Sequence, residues 1–290
     1  MNIGIVGIGL MGRAFAQRFQ SQGFTVRVFN RTRDAVKDLE ESGLVVCDSV
    51  DELVSSSDTI ILMVSNADAI REVLSLNQPE GQAPGLRDRT ILQMATISPS
   101  QSIALEDVIT CRGGRYLEAP VLGSLPEAGS GTLIIMAGGP QAVFEEALPV
   151  LQVLGSAPRY IGKTGSAAAL KLAMNQLIAA LTAGFSLSLG YARKHGVDTG
   201  LFMDTVRESA LYANTYDKKL DKYLSRDFGK ANFSTRHLLK DIRLFIDDAK
   251  ASGLNTAALE GIEQITRQTV EEGYDVMDYS SIYQTIAPED

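Results

Sequence analysis

Asn2-Ile3-Gly4-Ile5-Val6-Gly7-Ile8-Gly9-Leu10-Met11-Gly12 follows the initial methionine, and this stretch decides the fold of the first half of the chain. Its first five residues are rich in Ile and Val and predict a β-strand, whereas Met11–Gln22 has the spacing of an amphipathic helix. A second strand is predicted at Thr25–Phe29. The order strand, helix, strand at this distance is typical of a βαβ unit.

The turn between the first strand and the first helix has the pattern GxGxxG, formed by Gly7, Ile8, Gly9, Leu10, Met11 and Gly12. In such a turn the first glycine allows a tight bend, and the second lets the backbone approach a pyrophosphate. The third allows close packing of helix and strand. The same glycines could form a turn without a ligand, but the strand before them and the helix after them favour a dinucleotide site.

The alternation of strands and helices continues to about residue 163. The predicted strands are Asn2–Val6, Thr25–Phe29, Thr59–Val64, Thr90–Gln93, Tyr116–Ala119 and Leu133–Ala137. The predicted helices between the early strands are Met11–Gln22, Arg33–Glu40 and Val50–Ser55, and Asn77–Gly85, with two prolines and two glycines, is predicted to be a loop. This alternation predicts an α/β domain, a Rossmann fold with a mainly parallel sheet.

The pattern changes after Gly165, where Gly165–Lys194 lacks proline and predicts a helix of roughly 45 Å. Further helices are predicted at Asp198–Ser209, Thr215–Leu224, Ser234–Ser252 and Asn255–Glu272, with no strand. We therefore expect two domains, a Rossmann domain at 1–163 and an all-α domain at 164–290 that is joined to it by the long helix. The boundary is predicted near Gly162–Gly165.

Composition excludes several classes of function. The net charge of −8 and the pI near 5.0 argue against a nucleic acid or an anionic membrane as partner. Cys47 and Cys111 are isolated, and the only histidines are His195 and His237, so no metal site is expected. The N-terminus lacks the features of a signal peptide, and the apolar Leu177–Ala192 is short for a membrane span. We expect a buried helix there and a cytoplasmic protein.

The residues after the second predicted strand, Asn30, Arg31, Thr32 and Arg33, bear on the choice of dinucleotide. Sites that prefer NAD usually place Asp or Glu here to bind the ribose 2′-hydroxyl. A carboxylate would repel a 2′-phosphate, whereas an arginine can pair with it, and Asn30 and Thr32 can add neutral hydrogen bonds. The pattern favours NADP(H) over the alternative that both arginines are merely solvated.

Lys171 is the only charged residue between Lys163 and Arg193, on a helix otherwise rich in Ala, Leu and Met. An ammonium group on an apolar helix needs compensation, and burial lowers the pKa of a lysine toward the range useful for proton transfer. Asn175 lies four residues later on the same face. This pair suits the reduction of a carbonyl group, although a lysine whose stem lies on apolar surface while its amine reaches water would give the same pattern.

Taken together, the motifs resemble those of the β-hydroxyacid dehydrogenases, which include 3-hydroxyisobutyrate dehydrogenase, tartronate semialdehyde reductase and the glyoxylate/succinic semialdehyde reductases. The resemblance covers nearly the whole chain, in family order. Its elements are Gly7–Gly12, Ala95–Pro99, Glu118–Ser124, Gly131–Leu133, Gly138-Gly139, Gly165-Ser166, Lys171, Asn175, Phe233 and Lys240-Asp241.

The resemblance implies a role for each matching position. Lys171 matches the general acid/base lysine, and Asn175 the amide that orients the substrate. The implied cofactor contacts, besides the glycine turn and Asn30, Arg31 and Thr32, are Met63, Val64, Thr96 and Lys240. The implied substrate contacts are Leu122, Gly123, Ser124, Phe233 and Asp241, with Gly123 and Ser124 in the loop that holds a substrate carboxylate. Association through the all-α domain, as a homodimer or homotetramer, is also implied.

Two positions depart from the family pattern, because Leu122 and Ala95 stand where serine is common. The residues after the second strand resemble the glyoxylate/succinic semialdehyde reductase branch. The resulting hypothesis is NADPH-dependent reduction of a small aldehyde or keto acid that bears a carboxylate, such as glyoxylate or succinic semialdehyde, with the proton from Lys171. The alternatives are a 3-hydroxyisobutyrate-type dehydrogenase, an imine reductase and a non-catalytic assembly module. Relatives of the last two kinds usually lack the lysine.

Overall fold

The structure is a computed structural model that describes residues 1–79 and 83–289, the side chain of Ala35 excepted. Part of the predicted loop Asn77–Gly85, residues 80–82, lies outside the described residues. The chain forms two compact units, Met1–Lys171 and Leu172–Asp290. The division falls inside one long helix.

The first unit contains a twisted sheet with helices on its faces. Its strands are β1 (Asn2–Val6), β2 (Thr25–Phe29), β3 (Val45–Val46), β4 (Thr59–Leu62), β5 (Thr90–Gln93), β6 (Arg115–Glu118), β7 (Val121–Leu122), β8 (Ile134–Gly138) and β9 (Arg159–Gly162). Their order is β3-β2-β1-β4-β5-β6-β8-β7, and β9 pairs with β8. Strands β1 to β6 are parallel to one another, and β8 is antiparallel to β6 and β7. The predicted Rossmann fold with a mainly parallel sheet is therefore confirmed.

Two apolar layers cover the two faces of this sheet. Because side chains alternate along a strand, Ile3 and Ile5 of β1 belong to one buried cluster, which includes Phe15 and Phe19. The opposite cluster contains Val6 of the same strand. The helices that complete these layers are α1 (Leu10–Ser21), α2 (Lys37–Glu41), α3 (Val50–Ser55), α4 (Ala67–Val73), α5 (Pro99–Cys111), α6 (Leu125–Ser130) and α7 (Gln141–Leu154).

Among its described residues, the second unit has helices joined by loops, with one isolated β-bridge between Ser234 and Asp278. Helix α8 (Ser166–Lys194) begins in the first unit and is followed by α9 (Thr199–Glu208), α10 (Asn214–Ser225), α11 (Thr235–Ala251), α12 (Ala257–Thr269) and α13 (Ile282–Ile286). The 29-residue α8 is long and apolar enough to span a membrane, but 44% of its most apolar window is buried within the protein. Core helices of soluble proteins share this property.

The differences from the predicted elements are local. The predicted helix Arg33–Glu40 is a 3₁₀ turn (Arg33–Val36) followed by the short α2. The strands β3 and β7 were not predicted, because two residues are too few to show a period. The strand β9 was not predicted either, because its sequence Arg-Tyr-Ile-Gly has no run of β-branched residues.

Candidate active site

The predicted cofactor and substrate residues of the first unit all follow the carboxyl ends of its parallel strands. The glycine turn follows β1, Asn30 follows β2, and Met63 follows β4. Thr96 comes three residues after β5, and the predicted substrate loop follows β6. Because these strands run in the same direction, their carboxyl ends lie at one edge of the sheet, where open α/β sheets bind their ligands.

The three glycines of the turn have the three environments that the motif requires. Gly7 has a φ of +94°, and a Cβ there would lie 2.5 Å from the carbonyl oxygen of Met63. A Cβ on Gly12 would lie 2.0 Å from the carbonyl oxygen of Gly7, so helix and turn are in contact. A Cβ on Gly9 would meet nothing within 4 Å. The backbone is thus open to a ligand only at the second glycine, as a pyrophosphate cradle requires.

Asn30 connects the glycine turn to the end of β2. Its Oδ1 accepts a hydrogen bond from the Ile8 amide at 3.1 Å, and its Nδ2 donates to the Thr32 carbonyl at 3.0 Å. The Asn30 side chain, which was predicted to add a hydrogen bond to the cofactor, thus also forms hydrogen bonds within the protein. Thr32 precedes the 3₁₀ turn and does not cap it with its side chain.

The two arginines after β2 have different partners. Arg33 forms ion pairs with Asp48 and with Glu40, the latter at 3.1 Å. Arg31 is 88% exposed, and its nearest carboxylate is that of Glu72 at 3.9 Å. An exposed and weakly held guanidinium can turn toward an anion at little cost, so Arg31 is the better candidate for binding a phosphate.

Lys171 lies on the second turn of α8, and its Nζ donates a hydrogen bond to the carbonyl oxygen of Val121 at 2.7 Å. Val121 begins β7, immediately before the predicted substrate loop. The amine is therefore held by a backbone carbonyl oxygen of the same unit, on a side chain that is partly exposed. Asn175 lies one helical turn further along α8.

The substrate loop contains Leu122, Gly123 and Ser124. Leu122 pairs with Ile134 of β8, and Gly123 has a φ of +126°. The amide and the hydroxyl of Ser124 both donate to Glu127 Oε2 at 2.8 Å, which closes a capping box at the start of α6. The donors predicted to hold a substrate carboxylate thus already bind an internal one.

Glu118 begins one of the motifs of the family resemblance, but the sequence predicted no role for its side chain. The side chain of Glu118, at the end of β6, is 0% exposed. Its Oε1 accepts hydrogen bonds from the amides of Gly165 (2.9 Å), Ala167 (2.8 Å) and Ala168 (3.2 Å), and its Oε2 accepts one from Ser102. Burial raises the pKa of the Glu118 carboxyl, and the Ser102 hydroxyl and the three amides oppose this shift. The available signal was a helix start at Gly165, which has no side chain to cap it.

In the second unit the Asn175 Nδ2 donates to Asp241 Oδ2 at 2.6 Å, with both side chains almost completely buried. Lys240 Nζ lies 2.9 Å from Asp241 Oδ1. Phe233 stacks on His237, with the ring centroids 6.4 Å apart. The roles predicted for Lys240, Phe233 and Asp241 stay predictions, but the Asp241 carboxylate contacts Asn175 and Lys240 directly.

Asn175 Oδ1 is buried and has no hydrogen-bond partner among the described residues. It can therefore accept a hydrogen bond from a hydroxyl group of a ligand. Within residues 1–79 and 83–289, no group of three or more His, Cys, Asp or Glu side chains is arranged to bind a metal ion. The residues around the glycine turn fit a dinucleotide, since Gly9 leaves open the space that a pyrophosphate needs and Arg31 adds a cation.

Comparison with known families covers both units. Residues 2–162 match the family described as the NAD binding domain of 6-phosphogluconate dehydrogenase. Residues 165–286 match the family described as NAD-binding of NADP-dependent 3-hydroxyisobutyrate dehydrogenase.

Individual relatives agree with these families. Glyoxylate/succinic semialdehyde reductase 1 of Arabidopsis thaliana is 28% identical over 99% of this chain and 98% of its own. A probable 3-hydroxyisobutyrate dehydrogenase-like protein 1 of the same plant is 30% identical over 91% of this chain and 78% of its own. The 3-hydroxyisobutyrate dehydrogenase of Salmonella typhimurium has the same fold, with a TM-score of 0.86, 22% identity and coverage of 98% and 99%.

Proposed function

The chain belongs to the β-hydroxyacid dehydrogenase family of NAD(P)-dependent oxidoreductases, and from this premise we propose that it is an NADPH-dependent reductase. Its substrates are small aldehydes or keto acids that bear a carboxylate, such as glyoxylate or succinic semialdehyde, and its products are the hydroxy acids. Lys171 supplies the proton.

The observation that carries this proposal is the hydrogen bond between Lys171 Nζ and the Val121 carbonyl oxygen, 2.7 Å long. It holds an ammonium group at the start of the substrate loop, at the sheet edge that also carries the glycine turn. This position supports Lys171 as the proton donor.

The reaction adds two hydrogens to a carbonyl group. When bound, the nicotinamide supplies the hydride for the carbonyl carbon. The Lys171 ammonium donates a proton to the carbonyl oxygen and is left as a neutral amine, which regains its proton from solvent. The Val121 carbonyl oxygen fixes the amine before the substrate binds, and Asn175 Oδ1 accepts a hydrogen bond from the hydroxyl group that the reduction creates on the product.

A 3-hydroxyisobutyrate-type dehydrogenase is the second candidate. Leu122 favours it, because an apolar side chain in the substrate loop suits a substrate with a methyl branch better than a serine does. The 30% identity to the 3-hydroxyisobutyrate dehydrogenase-like relative points the same way. Two sets of steady-state rates separate the carbonyl reductase from this dehydrogenase and from an imine reductase. The first set measures oxidation of NADPH or NADH with glyoxylate, succinic semialdehyde or a cyclic imine, and the second measures reduction of NADP+ or NAD+ with 3-hydroxyisobutyrate.

The proton donor is tested with Lys171→Ala and, as a matched control, Lys163→Ala at an exposed position just before α8. We expect kcat to fall by about 10²–10⁴-fold in the first variant, the usual effect of general acid catalysis, and to stay unchanged in the second. The NADPH affinity, measured by fluorescence titration, should stay nearly constant in both. Full turnover of Lys171→Ala would exclude the assignment, and absence of turnover in the unmodified protein would favour an assembly module.

The cofactor preference is tested with Arg31→Ala and its neighbour Arg33→Ala, whose guanidinium is already paired with Glu40 and Asp48. Loss of a charge-assisted contact of about 1.5–3 kcal/mol should weaken NADPH binding about 10-fold or more for Arg31→Ala. NADH binding should be nearly unaffected, and Arg33→Ala should resemble the unmodified protein. An equal loss for both cofactors would show that Arg31 does not recognise the 2′-phosphate.

A further inference from the structure

The start of α8 has an unusual N-terminal cap. Helices usually satisfy their first amides with a side chain at the N-cap position, but this position is Gly165. The carboxylate of Glu118, 47 residues earlier in the chain, takes the amides of Gly165, Ala167 and Ala168 instead. A distant strand end thus holds the first turn of the helix.

The surrounding residues are fitted to this carboxylate. Gly138 of β8 is paired with Glu118, and a Cβ on Gly138 would lie 2.4 Å from Glu118 Oε1. On the other side, the Ser102 hydroxyl contacts Glu118 Oε2 and also lies 2.8 Å from the Tyr116 hydroxyl. The carboxylate is therefore fixed from both sides, and its place exists only because residue 138 has no side chain.

Two of the amides that donate to Glu118 lie one helical turn before Lys171. Ala167 and Ala168 precede Lys171 by four and three residues, and helical side chains lean toward the N-terminal turn. The Lys171 stem therefore lies over the turn that the carboxylate holds. The Lys171 amine donates a hydrogen bond to the carbonyl oxygen of Val121, which lies three residues after Glu118 in the chain. This short segment therefore contacts α8 at two places. The Glu118 carboxylate accepts hydrogen bonds from backbone amides at the start of the helix, and the Val121 carbonyl oxygen accepts one from the Lys171 amine.

We propose that Glu118 is a positioning residue for Lys171, which fixes the first turn of α8 so that the ammonium group reaches the Val121 carbonyl oxygen and the substrate loop. This proposal rests on the proposed function in that Lys171 is the proton donor. Glu118 itself has no contact with substrate or cofactor in this role. Its effect should therefore be on kcat and on the position of the amine.

The test uses Glu118→Ala, Glu118→Gln and Gly138→Ala. Alanine removes the acceptor, whereas the glutamine oxygen can still accept the three amides while its NH₂ donates to Ser102. The added methyl group at residue 138 displaces a carboxylate that is still present. We expect kcat to fall by up to about 10²-fold in Glu118→Ala and Gly138→Ala, the effect of a misplacement of about 1 Å. Glu118→Gln should recover most of the loss, and NADPH affinity should hold in all three.

A second readout follows the amine without turnover. Reductive methylation of the full-length protein with formaldehyde and cyanoborohydride, followed by peptide mass spectrometry, gives a rate for Lys171 alone. The hydrogen bond to Val121 should make this rate slow in the unmodified protein and in Glu118→Gln. It should be several-fold faster in Glu118→Ala and Gly138→Ala. Should Glu118→Ala fail to fold, Gly138→Ala and Glu118→Gln carry the comparison.

The control is Ser49→Ala, which removes the side-chain cap of α3 in the same unit. A general stability effect would lower Tm in this variant and in Glu118→Ala with no change in kcat or in Lys171 methylation. That result, or a Glu118→Gln variant as impaired as Glu118→Ala, would overturn the positioning role. If Glu118→Ala changes the methylation rate of Lys171 while Lys171→Ala keeps full turnover, the result would show that Glu118 positions the amine but that Lys171 is not the proton donor.

Discussion

Gly9 and Gly12 belong to one motif, but a methyl group at each would meet different surroundings. At Gly12 it would lie 2.0 Å from the carbonyl oxygen of Gly7, and at Gly9 it would lie in open space. We expect Gly12→Ala to lower both Tm and NADPH affinity, because turn and helix must separate. Gly9→Ala should keep the Tm and weaken NADPH binding, since the methyl group occupies the space that a pyrophosphate needs.

Thermal unfolding and fluorescence titration measure the two effects separately. Gly23→Ala is not a suitable control because of its positive φ, but Gly129→Ala is, since Gly129 is in α6 with nothing within 4 Å. Unchanged NADPH affinity in Gly9→Ala would contradict the prediction that the pyrophosphate binds next to Gly9.

Individual residues also show which features the sequence predicts and which depend on tertiary packing. The GxGxxG pattern predicted the three glycine environments correctly, because each depends on neighbours close in the chain. The residue type of Asn30 and the family resemblance at Ser124 predicted contacts with the cofactor and the substrate. Both side chains also form hydrogen bonds within the protein, with Ile8 and Glu127, and their roles toward ligands stay predictions. Which hydrogen-bonding groups remain available depends on packing, and residue type alone does not reveal it.

At the scale of elements, the Asn175–Asp241 hydrogen bond joins α8 to α11. Removal of a buried acceptor leaves its donors without partners at a cost of about 1–3 kcal/mol. We therefore expect Asp241→Ala to lower the free energy of unfolding by about this amount, measured by urea denaturation. Asp241→Asn should cost less, because its amide oxygen can still accept from Asn175.

Asp247→Ala removes an exposed carboxylate from the same helix and serves as the control. Equal stability of the Asp241→Ala and Asp247→Ala variants would mean that the buried contact contributes nothing to the fold.

Most of the strands and the long helix α8 were predicted, whereas the 13-residue α5 and the 14-residue α7 were not. The strands β1, β2 and β5 have the predicted bounds, and α8 starts one residue later than predicted. The two-residue β3 and β7 were missed, because their pairing is set by the neighbouring strands rather than by their own residues. This matters for the candidate site, since β7 supplies the acceptor for Lys171.

For the whole molecule, we propose self-association through the helical unit. Leu187 and Tyr191 of α8, four residues apart and so on one face, are 63% and 68% exposed. Large exposed apolar side chains in register are typical of a protein interface. We expect light scattering to give the mass of a homodimer or homotetramer, and Leu187→Glu/Tyr191→Glu to lower that mass.

Val45→Glu is the matched control, since Val45 is an exposed apolar residue of β3 in the other unit. A monomeric unmodified protein would refute the proposal, and dissociation by Val45→Glu would place the interface elsewhere.

The sequence by itself determined the Rossmann fold, the helical second half and the lysine on the long helix. These features depend on local periodicity and on motifs whose residues are close in the chain. Only the tertiary structure revealed that the Lys171 amine meets Val121 and that Glu118 caps a helix 47 residues later. Such contacts are created by strand order and register, which bring distant segments together and decide which polar groups are buried as partners.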